Sequence, residues 1–360
     1  MRVLFVGHPS TRPTDGGRDT FQNTLLDGLK RARSAHQFFY MQPSPANPGV
    51  AKVAAENGID FVWFMTPYHE DVRVPFAATV WDLGHRELPY FPEVSVTGWT
   101  FDQREAFYRH VLPRAAMVVI GNGAGAESLQ RNFQIAPQNV RIIPLPVNLE
   151  ALGGVADDGA TIGELGLARG GYLFYPAQFW PHKNHITLID ALLILRDWGR
   201  DFKLVFSGSD KGNRSHVAEY VANCKMQDRV LFPGFVETRV LHQLYVNAFA
   251  MVFGSLMGPD NLPPLEAMAC GCPVVNADFP GAREQLGEAA LYFDPLDPVD
   301  AASRVLRLYD PANRSRLVEA GRALVQTRGQ DAYFRRIEET LDGFAKVRRL
   351  WGPGASYREI

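Results

Sequence analysis

Short apolar runs alternate with amphipathic stretches from one end of the chain to the other. Uninterrupted apolar runs are typical of strands buried on both faces, and the stretches between them carry apolar residues at helical spacing. Strands joined by helices in this order predict parallel sheets and an α/β fold. The pattern predicts strands at residues 1–7, 61–64, 77–80, 117–120, 140–143, 172–176, 203–207, 230–232, 250–253 and 273–276. It predicts helices at residues 21–29, 185–198, 215–224, 240–247, 265–269 and 331–351.

These elements fall into two series, separated by residues 150–170. The separating segment is rich in Gly, Ala and Asp, which is typical of a linker between domains. A chain of 360 residues also favours two domains, since one domain averages roughly 150 residues. The predicted division places residues 1–163 and a returning helix at 340–360 in one domain, and residues 164–339 in the other. Two similar α/β halves leave a cleft between them.

Composition narrows the range of functions. The chain has 37 Lys and Arg against 39 Asp and Glu, and a net charge of −2 argues against nucleic-acid binding through bulk charge. With 46% hydrophobic residues and no apolar stretch of about 18 residues, we expect a soluble, cytoplasmic protein. Cys224, Cys270 and Cys272 cannot form a disulfide framework. Cys270 and Cys272 also fall short of a zinc signature, so we expect no metal site.

The segment 261–275, NLPPLEAMACGCPVV, carries the strongest chemical signal. A loop rich in Gly, Pro and Asn leads into a short helix, so backbone N–H groups near Asn261 and Leu262 would lie at a positively polarised helix terminus. Such a terminus binds anions. Glu266, about one turn inside the helix, would accept hydrogen bonds from hydroxyls of the same ligand. The alternative is an ordinary helix start with a carboxylate in its first turn.

A second basic segment, QFWPHKNH at residues 178–185, follows the predicted strand 172–176 and precedes a long helix. Ligands bind at this edge of open α/β sheets. Lys183 is therefore predicted to neutralise a phosphate, although a lysine on a surface loop is often merely solvated. His182 and His185 could share a metal ion, but the sequence offers no evident third ligand.

Residues 172–297 resemble the nucleotide-sugar half of family 4 retaining glycosyltransferases, which have the GT-B architecture. The resemblance rests on Lys183-Asn184, on LFPGFV at 231–236, on LPPLEAMACGCPVV, and on LGEAALYFDPLDP at 286–298. The first half is similar more weakly, through Gly16-Gly17, VWDL at 80–83 and RIIPLPVN at 141–148. The resemblance implies two Rossmann-like, doubly wound domains that face a central cleft.

The resemblance also implies a reaction. A hexose-type sugar would pass, with retention, from a nucleoside-diphosphate sugar to a hydroxyl acceptor such as a glycan, a lipid-linked sugar or a small molecule. Lys183 would contact the donor diphosphate, and Glu266 would hold the ribose hydroxyls. The implied substrate-binding positions are Gly16, Gly17, Gln178, Asn184, Phe235, Val236, Asp260, Asn261 and Leu262. The family needs no metal or other cofactor for this step, which is consistent with a sequence that has no Asp-x-Asp triplet.

Two departures from the family pattern lie on the donor side. Gly258 stands where the family commonly has a first glutamate, and Asp260 is the nearest substitute. Gln178 stands where an arginine is common, so the phosphate-binding lysine would have one positive partner fewer. His182, if protonated, or Arg283 could supply that charge.

A third departure lies on the acceptor side. Trp81 stands where the family commonly has a histidine before the aspartate. His85, four residues on, is the nearest replacement, so we assign Asp82 and His85 to the acceptor side.

Two other functions stay open at the sequence level. Gly121, Gly123 and Ala126 form a Gly-x-Gly-x-x-Ala turn typical of NAD binding, but no acidic residue follows at the expected strand end. A catalytically silent nucleotide-sugar-binding subunit would account for the donor-side departures.

The basic, aromatic segment 346–351 could contact the inner membrane face, although three charges are few for that. Packing of this helix on the first domain is the alternative.

Overall fold

The structure, a computed structural model, describes residues 1–8, 25–26, 28–29, 31, 34–44, 49–96, 99–149, 152, 157, 159–258 and 260–352. In these parts of the chain, two six-stranded sheets contain only parallel pairings. The first sheet has the order β2-β1-β3-β4-β5-β6. Its strands are β1 (Arg2–Val6), β2 (Gln37–Met41), β3 (Phe61–Phe64), β4 (Phe76–Thr79), β5 (Met117–Ile120) and β6 (Val140–Ile142).

The second sheet has the order β12-β11-β10-β7-β8-β9. Its strands are β7 (Tyr172–Pro176), β8 (Lys203–Ser207), β9 (Val230–Gly234), β10 (Ala250–Phe253), β11 (Val274–Ala277) and β12 (Ala290–Phe293). In both sheets the first strand of the series lies inside and later strands are added on either side. This is a doubly wound arrangement.

Helices connect the strands of both sheets. Those of the first series are α1 (Val50–Glu56), α2 (Gly84–Glu87), α3 (Pro92–Ser95), α4 (Phe101–Val111) and α5 (Gly123–Phe133). Those of the second are α6 (Ala160–Glu164), α7 (His185–Asp197), α8 (Arg214–Asn223), α9 (Thr238–Asn247), α10 (Leu262–Ala269), α11 (Ala282–Leu286), α12 (Pro298–Leu306), α13 (Pro311–Gln326) and α14 (Gln330–Arg348).

Local signals account for several helix starts. Asp297 caps α12, where its side chain accepts hydrogen bonds from the N–H groups of Val299 and Asp300 and Pro298 occupies the first position. Asp310 caps α13 in the same way, with Pro311 next to it. Carboxylate caps followed by proline satisfy the free N–H groups of a first turn and fix its backbone. The strand and helix predictions are confirmed to within a few residues, except that most of the predicted helix 21–29 lies outside the described residues.

The last helix returns to the first sheet. Its residues Tyr333, Phe334, Ile337 and Leu341 are buried in one cluster with apolar side chains of β1, β3 and β5. Near its end, Arg348 pairs with Asp60 of the first domain at 2.9 Å. Part of the basic segment that could have faced a membrane is therefore engaged within the protein. The second sheet has one continuous core of its own. The domain boundaries at residues 163 and 339 stay predictions.

We find no helix among the described residues that has the length and apolar character needed to cross a membrane.

Candidate active site

A cavity of about 490 Å³ lies between the two sheets. One wall comes from the carboxyl ends of β4 and β5, and the other from the loops that follow β7 and β10. Ligands of open α/β sheets bind at these strand ends. Six of the predicted site residues line the cavity together: Asp82, Gln178, Lys183, Asp260, Asn261 and Leu262.

Lys183 ends the short turn that follows β7. The hydroxyl of Tyr175 donates to the Lys183 carbonyl at 2.9 Å, which fixes the turn. The Lys183 ammonium donates to the hydroxyl of Ser255 at 3.3 Å and lies 5.4 Å from the ring centre of Phe253. Burial lowers the pKa of Lys183 to about 8, although the carboxylates of Asp82 and Glu93 act in the opposite direction. The cation is thus held by neutral groups and faces the cavity.

Asp82 lies on the opposite wall, directly after β4. Its carboxylate accepts from the backbone N–H of Gly84 at 2.9 Å and from Arg104 at 3.0 Å. Burial alone would raise the pKa of Asp82, but Arg104 and the Gly84 N–H outweigh it and hold the pKa below its usual value. Arg104 also packs over the ring of Trp99 at 5.0 Å. Arg104 was not predictable from the sequence, because it follows Asp82 by more than twenty positions with no recognisable motif.

Glu93 and His182 join the two walls. The Glu93 carboxylate, on α3, accepts hydrogen bonds from the backbone N–H of His182 at 3.1 Å and from its imidazole. Burial would raise the pKa of Glu93, yet the His182 hydrogen bonds hold it below its usual value. Burial lowers the pKa of His182 despite the carboxylate. This contact places a neutral His182 next to an ionised Glu93, so His182 does not supply the missing positive charge.

Asp260 spans the domains as well. One of its oxygens accepts from the backbone N–H of Leu145 in the first domain, and the other from the side chain of Gln285 at 2.7 Å. Burial raises the pKa of Asp260 to about 7. Both oxygens therefore have partners, and the contact with Leu145 links the two domains, so Asp260 is not poised as a substitute for the missing glutamate at position 258.

The predicted anion-binding site at the start of α10 offers fewer backbone N–H donors than the sequence suggested. The helix begins at Leu262, and Pro263 and Pro264 next in sequence carry no N–H. The N–H of Asn261 donates to Gln285 at 3.2 Å. In this first turn, Leu262 is therefore the residue that lines the cavity and can still offer a backbone N–H to a ligand.

Four other predicted ligand contacts lie outside this cavity. Glu266 accepts from the hydroxyl of Tyr245 at 3.1 Å, and burial raises its pKa. Phe235 and Val236 follow β9 at the edge of the second sheet, where the Phe235 side chain is 54% exposed. The Asn184 side chain donates to the Pro295 carbonyl at 2.6 Å and accepts from Thr187. Asn184 thus fixes the start of α7 rather than facing the cavity.

His85 is the clearest misplacement among the predicted residues. Its side chain is fully buried, its Nε2 lies 3.0 Å from Glu105, and its ring stacks on Tyr108. The ring belongs to the core beneath α4 because Gly84 and His85 begin a short helix that turns away from the cavity. Gly16 and Gly17 lie outside the described residues.

The departures at 258 and 178 have local structural reasons. Gly258 has φ +133°, a conformation that other residues rarely adopt. The Gln178 side chain lines the cavity, where it accepts from the Trp180 indole at 3.0 Å. Arg283 pairs with Asp278 at 2.7 Å and packs over Tyr292, so it does not assist Lys183.

The glycine-rich turn after β5 has no room for a pyrophosphate in this arrangement. Both carboxylate oxygens of Glu284 accept from the N–H of Gly123, and one also accepts from Ala124. A dinucleotide phosphate would need these same N–H groups. The Glu284 carboxylate therefore occupies the position that the pyrophosphate of NAD would need.

One cluster among the described residues could hold a metal, namely His69, Asp71 and His110. Arg114 already contacts Asp71 at 2.8 Å and His110 at 2.6 Å. These residues lie on the first domain outside the cavity. The predicted pair His182 and His185 does not converge, since His182 binds Glu93 and His185 stacks on Phe179 at 4.6 Å.

Part of the chain is similar to a known protein family. Residues 167–324 match the family described as Glycosyl transferases group 1. We call this matched part of the chain the glycosyltransferase domain. It contains Lys183, Glu266 and the α10 helix start, and so forms the second wall of the cavity.

Two curated relatives show how far the likeness extends. The O-antigen chain mannosyltransferase RfbU of Salmonella typhimurium is 31% identical over 126 residues, which is 35% of each chain. The D-inositol 3-phosphate glycosyltransferase of Acidothermus cellulolyticus is 27% identical over 252 residues, 66% of this chain and 54% of the relative. The aligned parts thus span about a third and about half of these relatives' lengths.

The overall fold matches that of solved structures. WaaG, a glycosyltransferase involved in lipopolysaccharide biosynthesis, superposes with a TM-score of 0.72 over 95% of this chain and 100% of that one, at 14% identity. Anabaena Alr3699/HepE, crystallised in complex with UDP and glucose, superposes with a TM-score of 0.73 over 95% of this chain and 99% of that one, at 17% identity. The glycosyltransferase domain and the first domain together therefore have the GT-B fold, as the resemblance implied.

Proposed function

We propose that the protein is a metal-independent, retaining glycosyltransferase that moves a hexose from a nucleoside-diphosphate sugar to a hydroxyl of a glycan or a lipid-linked sugar. The observation that carries this proposal is the position of Lys183. It is a half-buried cation of the glycosyltransferase domain, bonded to the neutral Ser255 hydroxyl, at the wall of a cavity between two domains. Such a cation suits a diphosphate, whose charge it would neutralise in a low-dielectric site.

The proposed reaction follows from this placement. The bond from the sugar C1 to the diphosphate breaks while a bond from C1 to the acceptor oxygen forms on the same face. The leaving diphosphate takes the electron pair and then the acceptor's proton. Lys183 and the Leu262 N–H would stabilise the growing negative charge. The cavity walls would hold donor and acceptor in contact and exclude water.

A thermal-shift screen against UDP, GDP, ADP, CMP, dTDP, NAD and NADP tests the donor site. A ligand that binds the folded state raises the melting temperature. We expect a shift with one nucleoside diphosphate that disappears in Lys183→Ala. A shift with NAD alone, or with none of these ligands, would overturn the proposal. GDP is of particular interest because relatives such as RfbU are named as mannosyltransferases.

Retention is tested separately. The purified protein is incubated with the nucleoside-diphosphate sugar that corresponds to the nucleotide that binds. NMR of the product then gives its anomeric configuration. Inversion would exclude the same-face reaction.

A catalytically silent nucleotide-sugar-binding subunit is the second candidate. The observation that favours it is Gly258, whose position offers no carboxylate and whose backbone is unusual. Such a subunit would bind the nucleotide but release no nucleoside diphosphate from the corresponding sugar donor, with or without an acceptor.

A further inference from the structure

Three buried polar atoms in the first-domain wall of the cavity have no hydrogen-bond partner among the described residues. They are Oγ1 of Thr79, Nε1 of Trp81 and Oε2 of Glu93. All three residues line the cavity, and Thr79 and Glu93 are only 9% and 7% exposed. Buried polar groups in folded proteins are nearly always paired, so three on one wall indicate a ligand that pairs them.

The chemistry of these atoms specifies the ligand. The Trp81 indole offers a donor, the Thr79 hydroxyl offers either a donor or an acceptor, and the Glu93 carboxylate offers an acceptor. Trp99 and Val94 add apolar surface to the same wall. A compound with several neighbouring hydroxyls on a ring with apolar faces, that is a sugar, satisfies all of these groups.

Glu93 has a defined orientation. One oxygen, Oε1, accepts two hydrogen bonds from His182 across the cleft, and the other, Oε2, is the buried oxygen without a partner on this cavity-lining residue. The Glu93 and Asp82 carboxylates both act electrostatically on the Lys183 ammonium, which places all three groups in one region. A hydroxyl that Glu93 binds would therefore lie close to the leaving diphosphate.

We propose that Glu93 binds the attacking hydroxyl of a sugar acceptor through Oε2, and that Thr79 and Trp81 bind other hydroxyls of the same sugar. This inference rests on the proposed function and names its acceptor class. The bond from C1 to the acceptor oxygen forms as the bond from C1 to the diphosphate breaks, and the proton goes to the diphosphate. Glu93 stays ionised and orients the hydroxyl.

Glu93→Gln is the decisive variant. The glutamine oxygen can still accept from His182, while the group at the position of Oε2 changes from an acceptor to a donor. The rate of nucleoside-diphosphate release from the donor sugar is measured in two series. One varies the donor concentration, and the other varies the concentration of methyl α-D-mannopyranoside or methyl α-D-glucopyranoside. Water is the hydroxyl acceptor if neither glycoside increases the rate.

We expect Glu93→Gln to lower kcat/KM for the acceptor by about 30-fold or more and the donor KM to change by less than about twofold. Thr79→Val, which removes only the hydroxyl, should lower the same acceptor parameter by about 3- to 10-fold. Glu93→Asp should recover part of the activity lost in Glu93→Gln. Asp102→Asn, an exposed carboxylate of the same domain, is the control and should match wild type.

Three results would overturn the assignment. One is a Glu93→Gln protein with wild-type acceptor kinetics. Another is a loss of donor affinity and melting temperature as large as the loss of rate, which would show a purely structural link to His182. The third is wild-type protein that binds the nucleotide without turnover, which removes the proposed function and this inference with it.

Discussion

The carboxylate of Glu284 lies across the N-terminus of the helix that begins at Gly123, with oxygens 2.7 and 2.9 Å from the Gly123 N–H nitrogen. Glu284 belongs to the glycosyltransferase domain and Gly123 to the first domain. The first N–H groups of a helix have no partner within it, and the helix dipole favours an anion there. The contact therefore gives the first N–H groups of a helix in one domain a hydrogen-bond acceptor from the other domain. It thereby holds the two domains together.

Loss of this contact should loosen the domain interface. In Glu284→Ala we expect a stability loss of about 1 kcal/mol, as for other helix caps, and a larger radius of gyration by small-angle scattering. Calorimetry gives the melting temperature in the same samples. Glu288→Ala removes an exposed carboxylate nearby and should change neither quantity. An unchanged radius and melting temperature in Glu284→Ala would show that the contact contributes nothing in solution.

Nucleotide affinity should depend on the charge of Lys183. Since burial lowers its pKa to about 8, the ammonium loses its proton as the pH rises above that value. The diphosphate is already fully ionised there, because its last pKa lies near 6. We expect the Kd of the nucleoside diphosphate to rise up to about tenfold per pH unit above pH 8. Titration calorimetry between pH 7 and pH 9.5 would measure it, in steps of about half a unit.

Lys183→Arg is the matched variant for this experiment. A guanidinium keeps its proton throughout this pH range. The affinity of Lys183→Arg for the nucleoside diphosphate should therefore not change with pH, even if it is weaker than that of wild type. The same pH dependence in both proteins would assign the titration to another group.

The buried carboxyl of Asp260 should make stability depend on pH. In the unfolded chain it titrates near pH 4, and in the folded chain burial raises its pKa to about 7. Between these values the folded state binds more protons, so this group's contribution to stability falls as the pH rises from about 4 to 7 and is constant above. The melting temperature of wild type relative to Asp260→Asn should fall across that window by a few degrees.

Asp228→Asn, an exposed carboxylate of the same domain, serves as the control and should follow the wild-type curve. A constant difference between wild type and Asp260→Asn from pH 4 to pH 8 would mean that Asp260 is ionised throughout.

The sequence pattern located the buried strands well because their residues are apolar on both faces, as in β3, where all four side chains are buried. It missed two edge strands, β2 and β12. The side chains of β2 are partly exposed and therefore lack that pattern, whereas those of β12 are mostly buried. Lys183 and Leu262 were predictable from local motifs at strand ends. Glu93 and Arg104 were not, because each lies on a helix of the first domain and reaches the cavity only through tertiary packing.

A glutamate at position 258 should not restore the family's missing carboxylate. Gly258 has φ +133°, and a Cβ there would lie 2.4 Å from the side-chain nitrogen of Asn261, which donates to the Gly258 carbonyl at 2.9 Å. A side chain must therefore displace Asn261 and force the backbone out of its conformation, at a cost of about 1–3 kcal/mol. We expect both Gly258→Glu and Gly258→Ala to lower the melting temperature and to weaken nucleotide binding, because Leu262 follows directly after Asn261.

Gly212→Ala separates the two causes. Gly212 also has a positive φ, +102°, but a Cβ there meets no atom within 4 Å. Its loss of stability should reflect backbone strain alone, and the excess in Gly258→Ala measures the displacement of Asn261. If Gly258→Glu instead gave a higher transfer rate at unchanged melting temperature, the loop would be free to accept the family's carboxylate.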